Sequence, residues 1–328
     1  MASSLSRSRA IVAALFALLS LPTSTVSAQT KDFPNKPINL VIPYGPGSGG
    51  DTLSRSLAQA LTAEYRVPVI IDNKAGASGF IAAQQAVRAA PDGYTLFLGG
   101  TTTHSANPNL FKKLPYDPVA DFTPISLLSK GYMVFLVRPS LGVKSVQEFI
   151  ELAKKSPQEL RFGSGSGSAR LTVEMFSQMT GIKFLHIPYK TNPLVITDLI
   201  GGHLDFMFVD ANTAVPLTAA GKLLPIAVTS KKRLSQMASV PTMEEAGIKG
   251  FEWTFWLGMY APAGVDAATV RRLNEMMRKA VDSAAYKAYH DSISAEPVAS
   301  SPEELARAQA EDTRLMRRVI QTAGIPQE

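Results

Sequence analysis

The side chains in this sequence that could do chemistry are mostly hydroxyls set among glycines. Four such stretches occur: Gly45-Pro46-Gly47-Ser48-Gly49-Gly50-Asp51, Ala75-Gly76-Ala77-Ser78-Gly79, Gly99-Gly100-Thr101-Thr102-Thr103-His104 and Gly163-Ser164-Gly165-Ser166-Gly167-Ser168. Glycine lets backbone come close to a ligand. Helix starts present unpaired N–H groups and partial positive charge, which suits an anion. Ordinary turns also call for glycine, and one such loop alone would mean no more than that. Four of them after apolar runs, rich in hydroxyls and poor in acid–base pairs, describe an anion cradle.

Gly45, Gly47 and Gly50 also spell G-x-G-x-x-G, with Asp72 at the end of the next apolar run. That is the form of a dinucleotide fingerprint. Pro46 stiffens the loop, and Ser48-Gly49 places small residues where the helix should already be running, so the dinucleotide reading is disfavoured. No lysine follows the glycines, which excludes a P-loop. The four histidines, His104, His186, His203 and His290, include no pair at metal-ligand spacing. Neither H-E-x-x-H nor a G-x-S-x-G elbow occurs. His186 lies in an apolar run and reads as structural, whereas His104 sits in a glycine-rich loop and is a candidate contact. With no cysteine there is no thiolate metal site, cysteine nucleophile or lipoprotein anchor. The expectation is a binding protein with no catalytic residues, no cofactor and no metal.

These loops need a scaffold. Residues 1–28 carry Arg7 and Arg9, an apolar run at 11–21 and the small-residue site Val26-Ser27-Ala28, the pattern of a secretory signal. Export also separates the protein from the cytosolic nicotinamide pool. Without the two arginines the chain has 31 basic and 27 acidic residues, a net charge of +4. Lys231-Lys232-Arg233 is the one basic cluster and reads as a solvated turn, so nucleic acid is not an expected partner. About 300 residues remain after the signal, enough for two domains with cores large enough to dispense with disulfides. Short apolar runs at 38–42, 67–71, 94–98, 133–137, 184–188, 204–209 and 224–229 predict strands. Helical spacing predicts helices over 51–65, 80–88, 194–200 and 267–281. Ser145/Glu148, Thr242/Glu245 and Ser301/Glu304 predict capping boxes, the last opening a helix to about residue 324. This alternation predicts an α/β fold with mixed, mostly parallel sheets flanked by helices. Two runs, 125–128 and 251–260, are the expected crossing strands. They divide the chain into a lobe of 29–127 plus 251–328 and a lobe of 128–250.

Several stretches together resemble a known family. They include Val41-Ile42-Pro43-Tyr44 with its glycine loop and Asp51, Ala90-Pro91-Asp92-Gly93-Tyr94-Thr95-Leu96, and Leu114-Pro115-Tyr116-Asp117-Pro118 with Asp121-Phe122. His186-Ile187-Pro188-Tyr189-Lys190, Asp198-Leu199-Ile200-Gly201-Gly202 and Ala220-Gly221-Lys222-Leu223 continue the series, followed by Ala227-Val228-Thr229-Ser230. Val240-Pro241-Thr242 with Glu245-Ala246-Gly247, and Ala261-Pro262-Ala263-Gly264, complete it. In this order, across nearly all of the chain after the signal, they resemble the solute receptors of tripartite tricarboxylate transporters, the Bug-type periplasmic receptors.

The resemblance implies a two-lobed, flytrap-like periplasmic-binding-protein fold. It implies a periplasmic monomer that captures a small carboxylate (a di- or tricarboxylate, an amino acid or an aromatic acid) and delivers it to membrane transporter subunits of the tripartite tricarboxylate type. Two loops, one per lobe, would hold the carboxylate, here Tyr44, Gly47, Ser48, Gly49 and Asp51, and Ser164, Ser166 and Ser168. Thr101, Thr102 and His104 add a third loop. Asp210 matches a position that contacts the far end of the ligand, and Arg170 is a secondary partner. Three departures bear on the substrate. Gly50 stands where a hydroxyl usually precedes Asp51, Gly45 stands where proline is common, and the second loop is a compact Gly-Ser run. The competing readings are an exported α/β hydrolase-like enzyme and a ligand sensor for a two-component system.

Overall fold

In the computed structural model, which describes residues 33–322 and 324–327, the first apolar run forms β1 (Ile38–Ile42). The expected export signal at 1–28 lies outside the described residues. Helix α1 (Gly49–Tyr65) returns the chain to β2 (Val69–Asn73), and α2 (Phe80–Val87) leads to β3 (Thr95–Gly100). The order β2-β1-β3 is parallel, as strand–helix–strand crossovers require. Leu53, Leu57 and Leu61 of α1 are buried at four-residue spacing, the stripe that packs on the sheet.

Residues 99–104, expected as a loop, instead divide between the end of β3 and a π-helical turn, Thr101–Ala106, that runs into α3 (Asn107–Leu110). The hydroxyl of Thr103 accepts the Gly100 N–H at 3.2 Å at the start of this turn.

The separate runs at 125–128 and 133–137 belong to one strand, β4 (Phe122–Val137). Polar Ser129-Lys130 and Gly131 interrupt the apolar pattern but not the pairing. Up to Tyr132, β4 pairs antiparallel with β9 (Thr254–Pro262), which also pairs β3. From Met133 it pairs antiparallel with β7 (Phe206–Asp210), and from Val134 with β8 (Leu224–Val228). One strand therefore serves two sheets. In the second sheet, β7 and β6 (Leu185–Pro188) flank β5 (Arg161–Ser164), both parallel to it. The architecture is α/β with mixed sheets and flanking helices, parallel in the outer strands and antiparallel along β4 and β9.

Alternation along β4 builds the second core. Met133, Phe135 and Val137 join one cluster with Phe149, Phe176 and Phe206, while Val134 and Leu136 join the cluster on the opposite face. The helices here are α4 (Val146–Lys155), α5 (Gly167–Thr180), α6 (Asn192–Ile200) and α7 (Ala211–Ala219). Thr242 and Glu245 do form reciprocal bonds, 2.9 and 3.0 Å, but only a turn follows, closed at Gly247 with φ +91. The chain ends with α8 (Ala267–Asp282), α9 (Ala284–Ser292), the short β10 (Glu296–Pro297) on β4, and α10 (Pro302–Thr322). Helix α10 spans both cores: Leu305 is buried with Val41 and Phe97, and Met316 and Ile320 with Phe135.

Candidate functional site

Between the two sheets lies a cavity lined by residues from both. Three helices begin at its wall, and each start is set by an N-cap side chain. Ser48 caps α1, donating to the Gly45 carbonyl at 2.7 Å and accepting the Asp51 N–H at 3.4 Å. Ser166 caps α5 by accepting the Ala169 N–H at 3.2 Å. Asp210 caps α7, accepting the Thr213 N–H and hydroxyl at 3.0 and 2.9 Å. In each helix the N–H groups of the first turn lack intrahelical acceptors. Gly49 and Gly50 of α1, Ser168 of α5, and Ala211 and Asn212 of α7 all line the cavity.

Close approach explains both glycines. A Cβ at Gly49 would lie 2.4 Å from Asp210 Oδ1, and one at Gly50 would lie 2.3 Å from the ring of Tyr44. The second contact gives a physical reason for glycine at position 50, since Tyr44 fills that space. Thr102 joins the two sides by accepting the Ser168 N–H at 3.2 Å, and Thr101 accepts the Trp256 N–H at 3.0 Å. Ser168 in turn accepts from the Trp253 indole at 3.2 Å. Burial raises the Asp210 carboxyl above its ordinary range despite its bonds from Thr213. Burial, and then the Asp210 charge, likewise raises the Tyr44 phenol. None of the residues lining this cavity is basic, and its remaining walls are largely apolar, with Leu53, Met133, Phe255, Leu257 and Ile293.

The structure thus brings Tyr44, Ser48, Gly49, Thr101, Thr102, Ser166, Ser168 and Asp210 to one cavity. Five expected contacts lie elsewhere, and three of them, Gly47, Asp51 and His104, brace the scaffold. The Gly47 N–H is taken by Asp51 at 2.9 Å, and the Ser48 N–H by the Gly45 carbonyl at 3.2 Å. No run of donors over 47–49 therefore exists, and the donors come instead from the first turn of α1. Asp51 is a loop brace: it also accepts from Asn73 at 2.9 Å and Arg55 at 3.1 Å. Burial would raise its carboxyl, but these bonds outweigh that and hold it low. His104 is fully buried, stacked on Tyr260 with ring centroids 3.9 Å apart, its Nδ1 2.9 Å from the Thr103 hydroxyl. Burial pushes its pKa down to about 3. It faces the core because the π-turn rotates the ring away from the cavity.

Ser164 and Arg170 line an adjoining compartment rather than this one. The Ser164 hydroxyl lies 2.7 Å from His186 Nε2, which places that histidine on the compartment wall. Sequence reasoning missed Asn192, Asn212 and the apolar wall from 255–257 and 293–295. Asn212 had a legible signal, two residues after an aspartate that ends an apolar run. The wall residues had none, because only the fold brings them to the cavity. Among the described residues, no group of three potential ligands is placed to hold a metal, and no helix is long and apolar enough to cross a membrane.

A family model described as "Tripartite tricarboxylate transporter family receptor" matches residues 53–325. The chain is 34% identical over 320 residues to a UPF0065 protein of Cupriavidus necator, covering 97% of this chain and 96% of the relative. Among solved structures it is similar to an R. palustris protein with adipate, TM-score 0.88 and 32% identity, over 90% of this chain and 100% of that one. It is also similar to the periplasmic binding protein BugD, TM-score 0.86 and 29% identity, over the same shares.

Proposed function

The chain belongs to the tripartite tricarboxylate transporter receptor family, and from that premise we propose that it captures a small carboxylate in the cavity between its sheets. The observation that carries this reading is the convergence of three helix starts with neutral hydroxyl donors on one cavity that has no basic wall. The carboxylate sits on the first turns of α1 and α7, where partial positive charge and backbone N–H groups meet it, and the start of α5 adds its partial charge and the Ser168 hydroxyl. Ser168, Thr102 and Tyr44 add polar contacts around it. The apolar wall takes the body of the ligand.

The two sheets are the cores of two lobes, 29–127 with 251–328 and 128–250, which close on the ligand like other two-lobed receptors. The protein works in the periplasm as a monomer after removal of residues 1–28 and passes its ligand to membrane subunits of the transporter. It needs no cofactor and leaves the ligand unchanged. The relation to a protein solved with adipate makes dicarboxylates the first acids to try.

A thermal-shift screen of small carboxylates tests the proposal. A true ligand at about 100 times its Kd adds about 2.7 kcal/mol of stability, a clear rise in Tm, and is recovered intact. If no carboxylate shifts the transition, or if the acid returns chemically altered, the receptor reading fails.

A further inference from the structure

Besides the helix starts, the cavity has a wall of another kind. It is made by Ser129 and residues 131–133 of β4, residues 255–257 of β9 and residues 293–295 after α9. Most of it is apolar, and its polar side chains are Ser129, Tyr132, Trp256 and Ser294.

Ser129 meets the buried ring of His290, which is not part of the lining. His290 Nδ1 lies 2.9 Å from the Tyr286 carbonyl, and its Nε2 lies 3.0 Å from the Ser129 hydroxyl. A carbonyl can only accept, so Nδ1 carries a proton. Burial lowers the His290 pKa, which keeps the ring neutral at neutral pH. A neutral ring protonated at Nδ1 has a bare Nε2, so the Ser129 hydroxyl donates to it. Ser129 Oγ then has only lone pairs left to offer.

The other polar side chains of this wall are turned in the same sense. The Tyr132 hydroxyl donates to Glu296 of β10. Burial, and then that bond, raises the phenol, so the proton stays on Tyr132. The Trp256 indole, a donor only, gives its N–H to Asp312 of α10 at 2.8 Å. Ser294 Oγ accepts the Gln236 N–H at 3.0 Å and lies 3.1 Å from the Ser235 hydroxyl. Backbone donors here are engaged too. The N–H groups of Ile293, Ser294 and Ala295 go to carbonyls of His290 and Asp291, that of Met133 to the Thr229 hydroxyl, and that of Trp256 to Thr101. This wall can therefore accept hydrogen bonds but has no side-chain proton to give. A ligand O–H or N–H finds a partner there. A ligand carbonyl or carboxylate oxygen would face lone pairs and stay unpaired, which is costly in a buried site.

We propose that His290, Glu296 and Asp312 are positioning residues, which act through Ser129, Tyr132 and Trp256 to make this wall accepting, and that the body of the ligand carries a hydrogen-bond donor that Ser129 receives. The carboxylate of the same ligand rests on the helix starts. This rests on the carboxylate reading of the cavity and adds to it the chemistry of the ligand's other end.

Calorimetry with acids of matched shape tests it: 3-hydroxybutanoate against 3-oxobutanoate, 4-hydroxypentanoate against 4-oxopentanoate, and 5-hydroxyhexanoate against 5-oxohexanoate. Within each pair only the hydroxy acid can donate. The best-bound pair should favour the hydroxy acid at least about tenfold, in line with the cost of an unmet buried acceptor. Ser129→Ala should bring that ratio close to one. His290→Phe, which releases the Ser129 proton, should lower the ratio by strengthening the oxo acid, and should leave it unchanged when Ser129 is already alanine. Glu296→Ala, at an exposed position where folding is safe, releases the Tyr132 proton and should lower the ratio as well. Nitrogen-15 NMR of the histidine side chains should place the His290 proton on Nδ1. A proton on Nε2, or equal or reversed affinities in every pair that binds, overturns the inference and leaves the carboxylate reading intact. Variants that weaken both members of a pair alike and keep the ratio overturn the positioning role. If none of these acids binds, the inference fails, and the wider thermal-shift screen of carboxylates shows whether the carboxylate reading fails with it.

Discussion

Asp210 is the one ionisable acid on the wall of the first cavity, and its carboxyl is raised by burial. A carboxyl raised in the folded state weakens stability as pH climbs from its unfolded value near 4 through its folded value, because the unfolded chain gives up its proton first. An anion bound beside it raises it further, so binding takes up a proton. The affinity for a carboxylate should therefore fall as pH rises across this window. Asp210→Asn should flatten that dependence and hold anions more tightly at neutral pH, since the amide keeps the shape and loses the charge. Calorimetry in buffers of different ionisation enthalpy reads the proton uptake directly. A variant that binds carboxylates less well at neutral pH would mean that ionised Asp210 serves a cationic group on the ligand instead. His104 carries the opposite lesson at this scale. Its type and its loop suggested a contact, yet its surroundings are Tyr260, Phe97 and Phe122. A histidine's role depends on the direction of its ring, which one backbone turn decides.

Helix starts are the elements that matter here. Each is legible as a local signal: a serine or aspartate N-cap followed by small residues. Their spacing depends on what the chain leaves out at Gly49 and Gly50. Gly49→Ala would put a methyl group 2.4 Å from an oxygen of Asp210, across the cavity rather than within its own helix. Because the contact falls on the Asp210 carboxylate that caps α7, this variant should lower Tm somewhat without ligand and bind carboxylates at least about tenfold more weakly, a loss of about 1.4 kcal/mol. Thermal denaturation and calorimetry on the same preparation check both halves. An unchanged affinity would mean that the α1 start and Asp210 do not close on the ligand together. The reciprocal bonds of Thr242 and Glu245 show the limit of such signals, since a capping box marks a turn that begins like a helix, and Gly247 ends it within one turn.

At the scale of the whole molecule, side chains from elements far apart in the chain meet beside the cavity, and if the proposed lobes close on a ligand these contacts should slow its release. Asn212 at the start of α7 donates to the Thr52 hydroxyl of α1 at 2.5 Å and to the Tyr289 hydroxyl of α9 at 3.1 Å, and Thr52 and Tyr289 are 3.0 Å apart. Only Asn212 of the three lines the cavity. Tyr289→Phe deletes the shared hydroxyl without touching the cavity wall. A net hydrogen bond contributes about 0.5–1.5 kcal/mol, so ligand dissociation should quicken about two- to tenfold with association little altered. Stopped-flow measurement of both rates checks this. A change confined to association would show that the cluster does not hold the closed form. The Ser294 hydroxyl, at a residue with φ 52, takes the Gln236 N–H at 3.0 Å and ties the chain after α9 to residues far earlier in the sequence.

The sequence by itself determined the fold class, most strand and helix positions, the family, and the glycine–hydroxyl loops that supply the N-caps. These are local properties: periodicity, capping residues and turn chemistry act within a few neighbours of the chain. Only the tertiary structure decided which members of those loops face the cavity. Gly47 and Asp51 lie in the same loop as Ser48 and Gly49, yet they bond to one another and to Asn73 and Arg55. Arg170 lies four residues from Ser166 and yet lines only the adjoining compartment, whereas Ser166 lines both. The joining of two apolar runs into β4, and the gathering of walls from residues as distant as Leu53, Asp210 and Ile293, depend on pairing between segments far apart in the chain. Such pairing is a property of the packed whole, because each of those groups takes its direction from partners the local sequence does not contain.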